Sequence, residues 1–443
     1  ITMVTRTPRP RSRSSRRAAS REIEQKRGYD KAATKIRTAG HGVKGGARTL
    51  VTISPSEMPT VSELRNAIPA HCFQRSTLHS LALVVRDGAI ISLLGYLAWT
   101  YFPTTPEDTS SVLSWGKWLL AWNAYWYTQG AALTGWWVLA HECGHRGFSE
   151  STLVCDVVGF VLHSFLLVPY FSWQYSHMKH HSKTSHLSDG ETHIAPLKNE
   201  SKRDQWLHSV LGDDAFAAFQ LLIILTIGWP IYLFTGITGA RRDPQGKSLE
   251  PGKLRSHFSP SSKLFPDNGK WSLRVLASNF GLVATVAGLY QLAVWSGDPM
   301  KVFLMYFPAY LWVNMWLVLY TWLQHVHTEV PQLGDGEWTW IRGALCTIDR
   351  PYPFPIDWMH HHIGSTHVAH HLFSNMPCYH AVEATAALKK YLEPKGLYNY
   401  DPRGIVQAAW ETAHDCHYVE SEEGVQMWKN WGIVGASETK KAD

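Results

Sequence analysis

Six apolar stretches interrupt an otherwise polar chain, at residues 81–101, 118–140, 153–173, 216–237, 273–295 and 302–323. Each approaches the roughly 20 residues that a helix needs to cross a bilayer. Parity limits how many cross. Histidine groups stand at residues 141–145, 177–181 and 367–371, and if they meet on one membrane face, each interval between them holds an even number of crossings. Residues 153–173 must then lie in the interface or re-enter. The same argument removes one of the last three stretches. Residues 216–237 are the one to remove, because Gly228-Trp229-Pro230 interrupts a helix and a polar loop with Arg241, Arg242, Lys247, Lys253 and Arg255 follows. Four transmembrane helices remain, with interfacial helices and a histidine-rich cap. The loop after the first span carries Glu107 and Asp108 without Lys or Arg. By the positive-inside tendency it is lumenal, which puts the histidines and both termini in the cytosol. Before the first span, Thr60-Val61-Ser62-Glu63 has the form of a capping box and predicts a short helix running towards Pro69.

Composition sharpens this picture. Twenty-one Trp, 18 Tyr and 16 Phe accompany the apolar runs, as aromatic belts do at membrane interfaces. The net charge of +6 is an average of unlike parts, since residues 1–48 carry 14 Lys and Arg against Glu22, Glu24 and Asp30 and the remainder is net acidic. Nucleic-acid binding is not indicated. Residues 1–52 read as a basic, disordered tail that could touch anionic lipid, with an Arg/Ser-rich transit peptide as the weaker option. Residues 53–430 then form the membrane domain and 431–443 a C-terminal tail. Cys72, Cys143, Cys155, Cys346, Cys378 and Cys416 are scattered without paired spacing, which implies neither a disulfide framework nor a zinc ribbon.

The chemistry sits in three histidine groups. His141-Glu142-Cys143-Gly144-His145 puts two imidazoles at i and i+4, on one face of a helix at a membrane boundary. It also reads as HExxH, so an intramembrane zinc protease competes on this motif alone. His177-Met178-Lys179-His180-His181 and His367-Val368-Ala369-His370-His371 repeat an i, i+3, i+4 spacing. Zinc catalysis uses three protein ligands, whereas these groups offer eight imidazoles. Eight neutral nitrogens suit two ions of borderline softness, and iron is the redox-capable choice that activates dioxygen. His325, at the end of the last span, is the best additional ligand and His327 a weaker one. His360, His361 and His362 read as supporting residues, and Glu142 as structural outside the protease reading.

In order and spacing, HECGH, HMKHH and HVAHH resemble the three histidine boxes of the membrane fatty acid desaturases. The flanks Ala67-Ile68-Pro69-Ala70-His71-Cys72-Phe73, Leu323-Gln324-His325-Val326-His327, Arg342-Gly343-Ala344 and His371-Leu372-Phe373-Ser374 are similar to microsomal Δ12 oleate desaturases, fungal ones especially. The resemblance covers about residues 55–430. It implies that His141, His145, His177, His180, His181, His367, His370 and His371 bind two irons. It further implies an oleoyl lipid substrate converted to linoleoyl, dioxygen as co-substrate, and electrons from cytochrome b5 with its NADH-dependent reductase. The sequence shows no HPGG-type haem motif, so the donor is expected to be a separate protein. Lys440-Lys441-Ala442-Asp443 resembles a dilysine signal for the endoplasmic reticulum. Two departures from the family pattern, Asp189-Gly190-Glu191-Thr192-His193 and Cys378 before Tyr379-His380-Ala381, bear on regiochemistry. Hydroxylases, acetylenases and ω3 desaturases share the scaffold.

Overall fold

The computed structural model describes residues 44–45, 47–250 and 255–432. Joined by long irregular loops, helices are the main regular structure of the described residues. Their strands are two short antiparallel pairs, Lys44–Gly45 with Asn399–Tyr400 and Gln332–Leu333 with Val425–Gln426. The C-terminal dilysine-like end and most of the basic tail lie outside the described residues.

Thr77–Tyr101, Gly269–Ser296 and Pro299–Leu323 are each long and apolar enough to cross a membrane. Polar caps start all three: the side chains of Ser76, Asn268 and Asp298 accept from backbone N–H groups in the first turn. The first two point apolar faces outward, with Leu93, Phe280, Val283 and Trp295 all more than half exposed, whereas Pro299–Leu323 is more than half buried within the bundle. A soluble protein would bury such a surface.

The fourth expected span, 118–140, lies inside Val112–Gly144, a helix of 33 residues. It would extend about 50 Å, but Trp, Tyr, Asn and Gln along it make it less apolar than the other three. It forms the centre of the bundle, packing against Pro299–Leu323, Thr152–Phe165 and Thr77–Tyr101. Gly130 sets one of these approaches: a Cβ there would stand 2.4 Å from Cβ of Trp312, so only glycine lets the two helices come this close.

Residues 153–173, expected to lie in the interface or re-enter, form two helices, Thr152–Phe165 and Tyr170–Ser182, bent by 106°. Residues 216–237 break as well, into Asp213–Thr226 and Gly228–Thr235 at 68°, at the glycine that precedes Trp229-Pro230. If each bent pair counts as one span, up to five apolar spans are present among the described residues.

The remaining helices build a cap. The capping box is complete: Glu63 N–H donates to Thr60 Oγ1 at 3.2 Å, while Glu63 Oε2 accepts from Thr60 N–H at 2.7 Å, at the start of helix Val61–Ala67. A second core joins Leu64, Ile68, Leu345, Leu372, Leu388 and Leu392. Residues 47–52, assigned to the tail from sequence, form a helix that belongs to this core, with Leu50 and Val51 buried. The fully buried Arg342 holds it, donating to the Leu50 carbonyl at 2.8 and 3.1 Å and to Glu337 at 2.7 Å.

Candidate metal centre

Four helix ends bring the site together. His141 and His145 close the last turn of Val112–Gly144, and His177, His180 and His181 lie in the last two turns of Tyr170–Ser182. His325 follows the C-cap of Pro299–Leu323. His367, His370 and His371 belong to the six-residue helix His367–Leu372. Asp349 anchors that short helix by accepting from Val368 N–H at 2.8 Å, and its other oxygen accepts from the Tyr398 hydroxyl. Burial pushes the Asp349 carboxyl up to about 7.

Glycine lets the first two groups meet. A Cβ on Gly144 would lie 2.9 Å from the Trp173 ring, and that ring stacks on His177 at 4.6 Å and 18°. On the other side Trp137 stacks on His141 at 5.5 Å and 22°. His163, which sequence reasoning did not single out, fills the corner between the two indoles; its Nε2 donates to the Trp137 carbonyl at 3.3 Å. These walls of the site are thus aromatic.

The nine histidines singled out from sequence converge into two adjoining groups. In the first, one nitrogen each from His141, His145, His177, His181 and His370 lie within 4.8 Å of one another. In the second, His325, His367 and His371 do the same, and His180 joins with its Nε2 3.2 Å from Nε2 of His325. The groups abut where His181 and His371 stack, at 4.0 Å and 11°. Within them Nε2 atoms face one another at 3.2 Å for 141/145, 177/181 and 181/370, and at 2.9 Å for 325/367. Two nitrogens each about 2.1 Å from one ion, at angles between octahedral and tetrahedral, stand roughly 3.0–3.4 Å apart. The spacing therefore fits a shared ion. Hydrogen bonding alone does not explain it, because five imidazole edges turned on one point cannot all be paired donor to acceptor.

The outward nitrogens fix the tautomers. His180 Nδ1–H donates to the Glu191 carbonyl at 2.7 Å. Thr184 spends its only proton on the His180 carbonyl at 2.9 Å, so its oxygen accepts from His371 Nδ1–H at 3.0 Å. Nε2 of His371 is left without a proton, buried and with no hydrogen-bond partner. A lone pair in that position is what a metal ligand requires. Seven of the nine are at most 7 % exposed. Burial and the neighbouring imidazoles hold His325, His370 and His371 well below the usual histidine range, and burial takes His367 to about 3. All four are neutral, and so competent to bind a metal, at physiological pH.

The remaining histidines around the third group have partners of their own. Tyr320 hydroxyl donates to His360 Nδ1 at 2.6 Å, and His360 Nε2–H donates to the Ala131 carbonyl at 3.0 Å. His361 reaches Asp87 at 2.8 Å and His362 reaches Asp357 at 2.7 Å. The contacts of His360 and His361 tie the loop before the third group to the membrane helices, while that of His362 is local to the loop. His327 sits apart, beside Arg403 and Asp401. Glu142 faces away from the first cluster: one oxygen is 3.4 Å from Nδ1 of His141, the edge opposite the clustered nitrogen, and the other accepts from Cys378 N–H at 3.1 Å. A protease base would have to face the metal water, so the HExxH reading loses its catalytic group. The two departures from the family pattern both touch the site, Cys378 through Glu142 and the Asp189–His193 run through His180. Buried Glu191 pairs with Arg255 at 3.6 Å and accepts from Tyr232 at 3.2 Å, while His193 meets Thr321 at 3.1 Å.

Comparison with known proteins agrees with this arrangement. A family model for fatty acid desaturases matches residues 116–402, a span that contains all three histidine groups. A Δ12-fatty-acid desaturase of Vernicia fordii is 42 % identical over 365 residues, covering 82 % of this chain and 88 % of that protein. An omega-6 fatty acid desaturase of the endoplasmic reticulum from Brassica juncea is 41 % identical over 370 residues, 83 % of this chain and 90 % of that one. A Δ12-oleate desaturase of Trichosanthes kirilowii is 39 % identical over 375 residues, 85 % and 94 %. With the match running through every helix that carries the clustered histidines, the chain belongs to the fatty acid desaturase family.

Proposed function

We propose that the protein introduces a Δ12 cis double bond into oleoyl chains carried on membrane lipid, giving linoleoyl chains. The observation that carries this is the convergence of nine imidazoles into two adjoining groups at the ends of apolar helices. His141, His145, His177, His181 and His370 would hold one iron, and His180, His325, His367 and His371 the other. Iron bound there supplies the activation of dioxygen that lets two hydrogens be taken from adjacent unactivated methylenes.

The chain's own residues set the conditions. Thr184 and the Glu191 carbonyl hold the protons on Nδ1 of His371 and His180, so the nitrogens turned into the site stay unprotonated. Trp137, Trp173 and His163 keep the walls dry, which protects a reactive oxidant from water. Helix Val112–Gly144 would be the fourth crossing, its last turn carrying His141 and His145 to the cytosolic face. The apolar outer surfaces of the neighbouring helices support delivery of an acyl chain from the bilayer.

Each double bond consumes one dioxygen with two electrons and two protons and releases two waters. The electrons come from cytochrome b5 and its NADH-dependent reductase. The endoplasmic reticulum membrane, with the site and both termini cytosolic, is the setting that fits the relatives and the spans.

The test is expression of the full chain in a yeast that makes oleate but no linoleate, followed by chromatography of its fatty acids. Linoleate is expected, and none should form in a His370→Ala variant. A hydroxylated or acetylenic product instead would assign another reaction to the scaffold, and no new product with the protein present would overturn the proposal.

A further inference from the structure

A second group of donors lies away from the histidine centre, where the cap meets the first membrane helix. His71 and Cys72 are on the 3₁₀ turn Ala70–Phe73, four residues before Thr77–Tyr101 begins. His380 immediately precedes helix Ala381–Leu392, and Glu383 is in its first turn. A ring nitrogen of each histidine, Cys72 Sγ and a Glu383 oxygen all lie within 4.8 Å of one another. His71 Nε2 is 2.9 Å from Glu383 Oε2 and 3.8 Å from Cys72 Sγ, and the rings of His71 and His380 meet edge-on at 5.5 Å and 77°.

From this juxtaposition we propose a structural zinc site with His71, Cys72, His380 and Glu383 as its four ligands. In a closed tetrahedral site with bonds of about 2.0–2.3 Å, ligand atoms stand roughly 3.3–3.8 Å apart. The more distant donors need to draw together by about 1–1.5 Å at most, and His71 and Glu383 to part slightly, to reach it. Two imidazoles, a thiolate and a carboxylate form a set suited to zinc, and the two anionic donors balance its charge. The proposal does not depend on which metal the nine histidines hold.

Charge accounting separates this group from a similar one. His186, Asp189 and Asp335 also cluster, but Arg242 and Lys183 already pair with those carboxylates, at 2.9–3.4 Å and 3.7 Å. Glu383 has no Lys or Arg partner among the described residues; its ion pair is with His71. Cys72 is fully buried, while the side chains of His71 and Glu383 are about half exposed, at 52 % and 51 %. An ion can therefore enter from the solvent side and settle on a thiol at the base. The site would staple the turn leading into the first membrane helix to the helix that follows the third histidine group. Tyr379 holds the same seam from the other side, stacked on His79 at 4.0 Å and accepting from Ser76 N–H at 2.7 Å.

The experiment uses the full chain purified in detergent, with zinc and iron counted per chain. About one zinc beyond any at the histidine centre is expected, and H380Q and E383Q should each lose that zinc without losing iron. Zinc misplaced in the histidine centre would be equal in wild type and variants, so the difference is what is read. Loaded with cobalt(II), wild type should show a thiolate-to-metal charge-transfer band that Cys72→Ser lacks; no thiolate belongs to the histidine centre. Equal zinc in wild type and both variants, or no thiolate band in wild type, would overturn the site and leave His71–Glu383 an ordinary ion pair.

Discussion

Thr184 decides which nitrogen of His371 carries the proton, because its hydroxyl has one hydrogen and gives it to the His180 carbonyl. Thr184→Val keeps the shape and removes the acceptor. Iron retention or desaturase activity is expected to fall about 10–100-fold, with Thr184→Ser recovering most of it; an unchanged Thr184→Val enzyme would show that the hydroxyl does not orient the ring. The convergence of the histidines was legible because i, i+3, i+4 spacing sets several imidazoles on one helix face, as a metal would need. His325 was legible through its position at the end of an apolar run. The residues that orient them were not. Thr184 stands four residues after His180, close enough for helix geometry to have flagged it, but the Glu191 carbonyl belongs to a loop, and no side-chain pattern points to a backbone atom. His163 was hidden by an apolar run in which a lone histidine reads as core.

At the scale of elements, two of the four glycines of Val112–Gly144 make a contrast. Gly144 faces the Trp173 ring at 2.9 Å from where a Cβ would sit, whereas Gly116 has nothing within 4 Å. Alanine improves on glycine in a helix interior by up to about 1 kcal/mol, but overpacking against an aromatic wall costs about 1–3 kcal/mol. Gly116→Ala should therefore leave the thermal midpoint in detergent unchanged or raised, while Gly144→Ala lowers it and cuts oleate conversion, since Trp173 stands between the first two histidine groups. A Gly144→Ala protein as stable and active as wild type would contradict the packing account. Apolar length made three of the four expected spans readable, and parity set residues 153–173 apart from them, where the chain bends by 106°. The helix Ala47–Thr52 was not, because it is fixed by Arg342, almost 300 residues away, and its short apolar run sits in a basic, polar setting. The break at Gly228 was read from Gly228-Trp229-Pro230, a local signal that needs no tertiary partner.

At the scale of the whole molecule, apolar helices and a polar cap meet at one buried set of imidazoles. Burial makes those imidazoles neutral, Trp137 and Trp173 wall them in, and their nitrogen–nitrogen separations of 2.9–3.2 Å fit nitrogens turned on a shared ion. The protein thus spends much of its architecture on orienting nine nitrogens, an expense hard to explain by stability alone, since a buried imidazole without a partner is destabilising. The direct measurement is metal content: iron per chain in the full-length protein, purified in detergent from iron-replete cells, alongside His180→Ala and His370→Ala. Two irons per chain are predicted in wild type, with each variant losing iron because its histidine serves a different one of the two groups. Less than one iron per wild-type chain, whatever zinc accompanies it, or variants that keep both irons, would contradict the account.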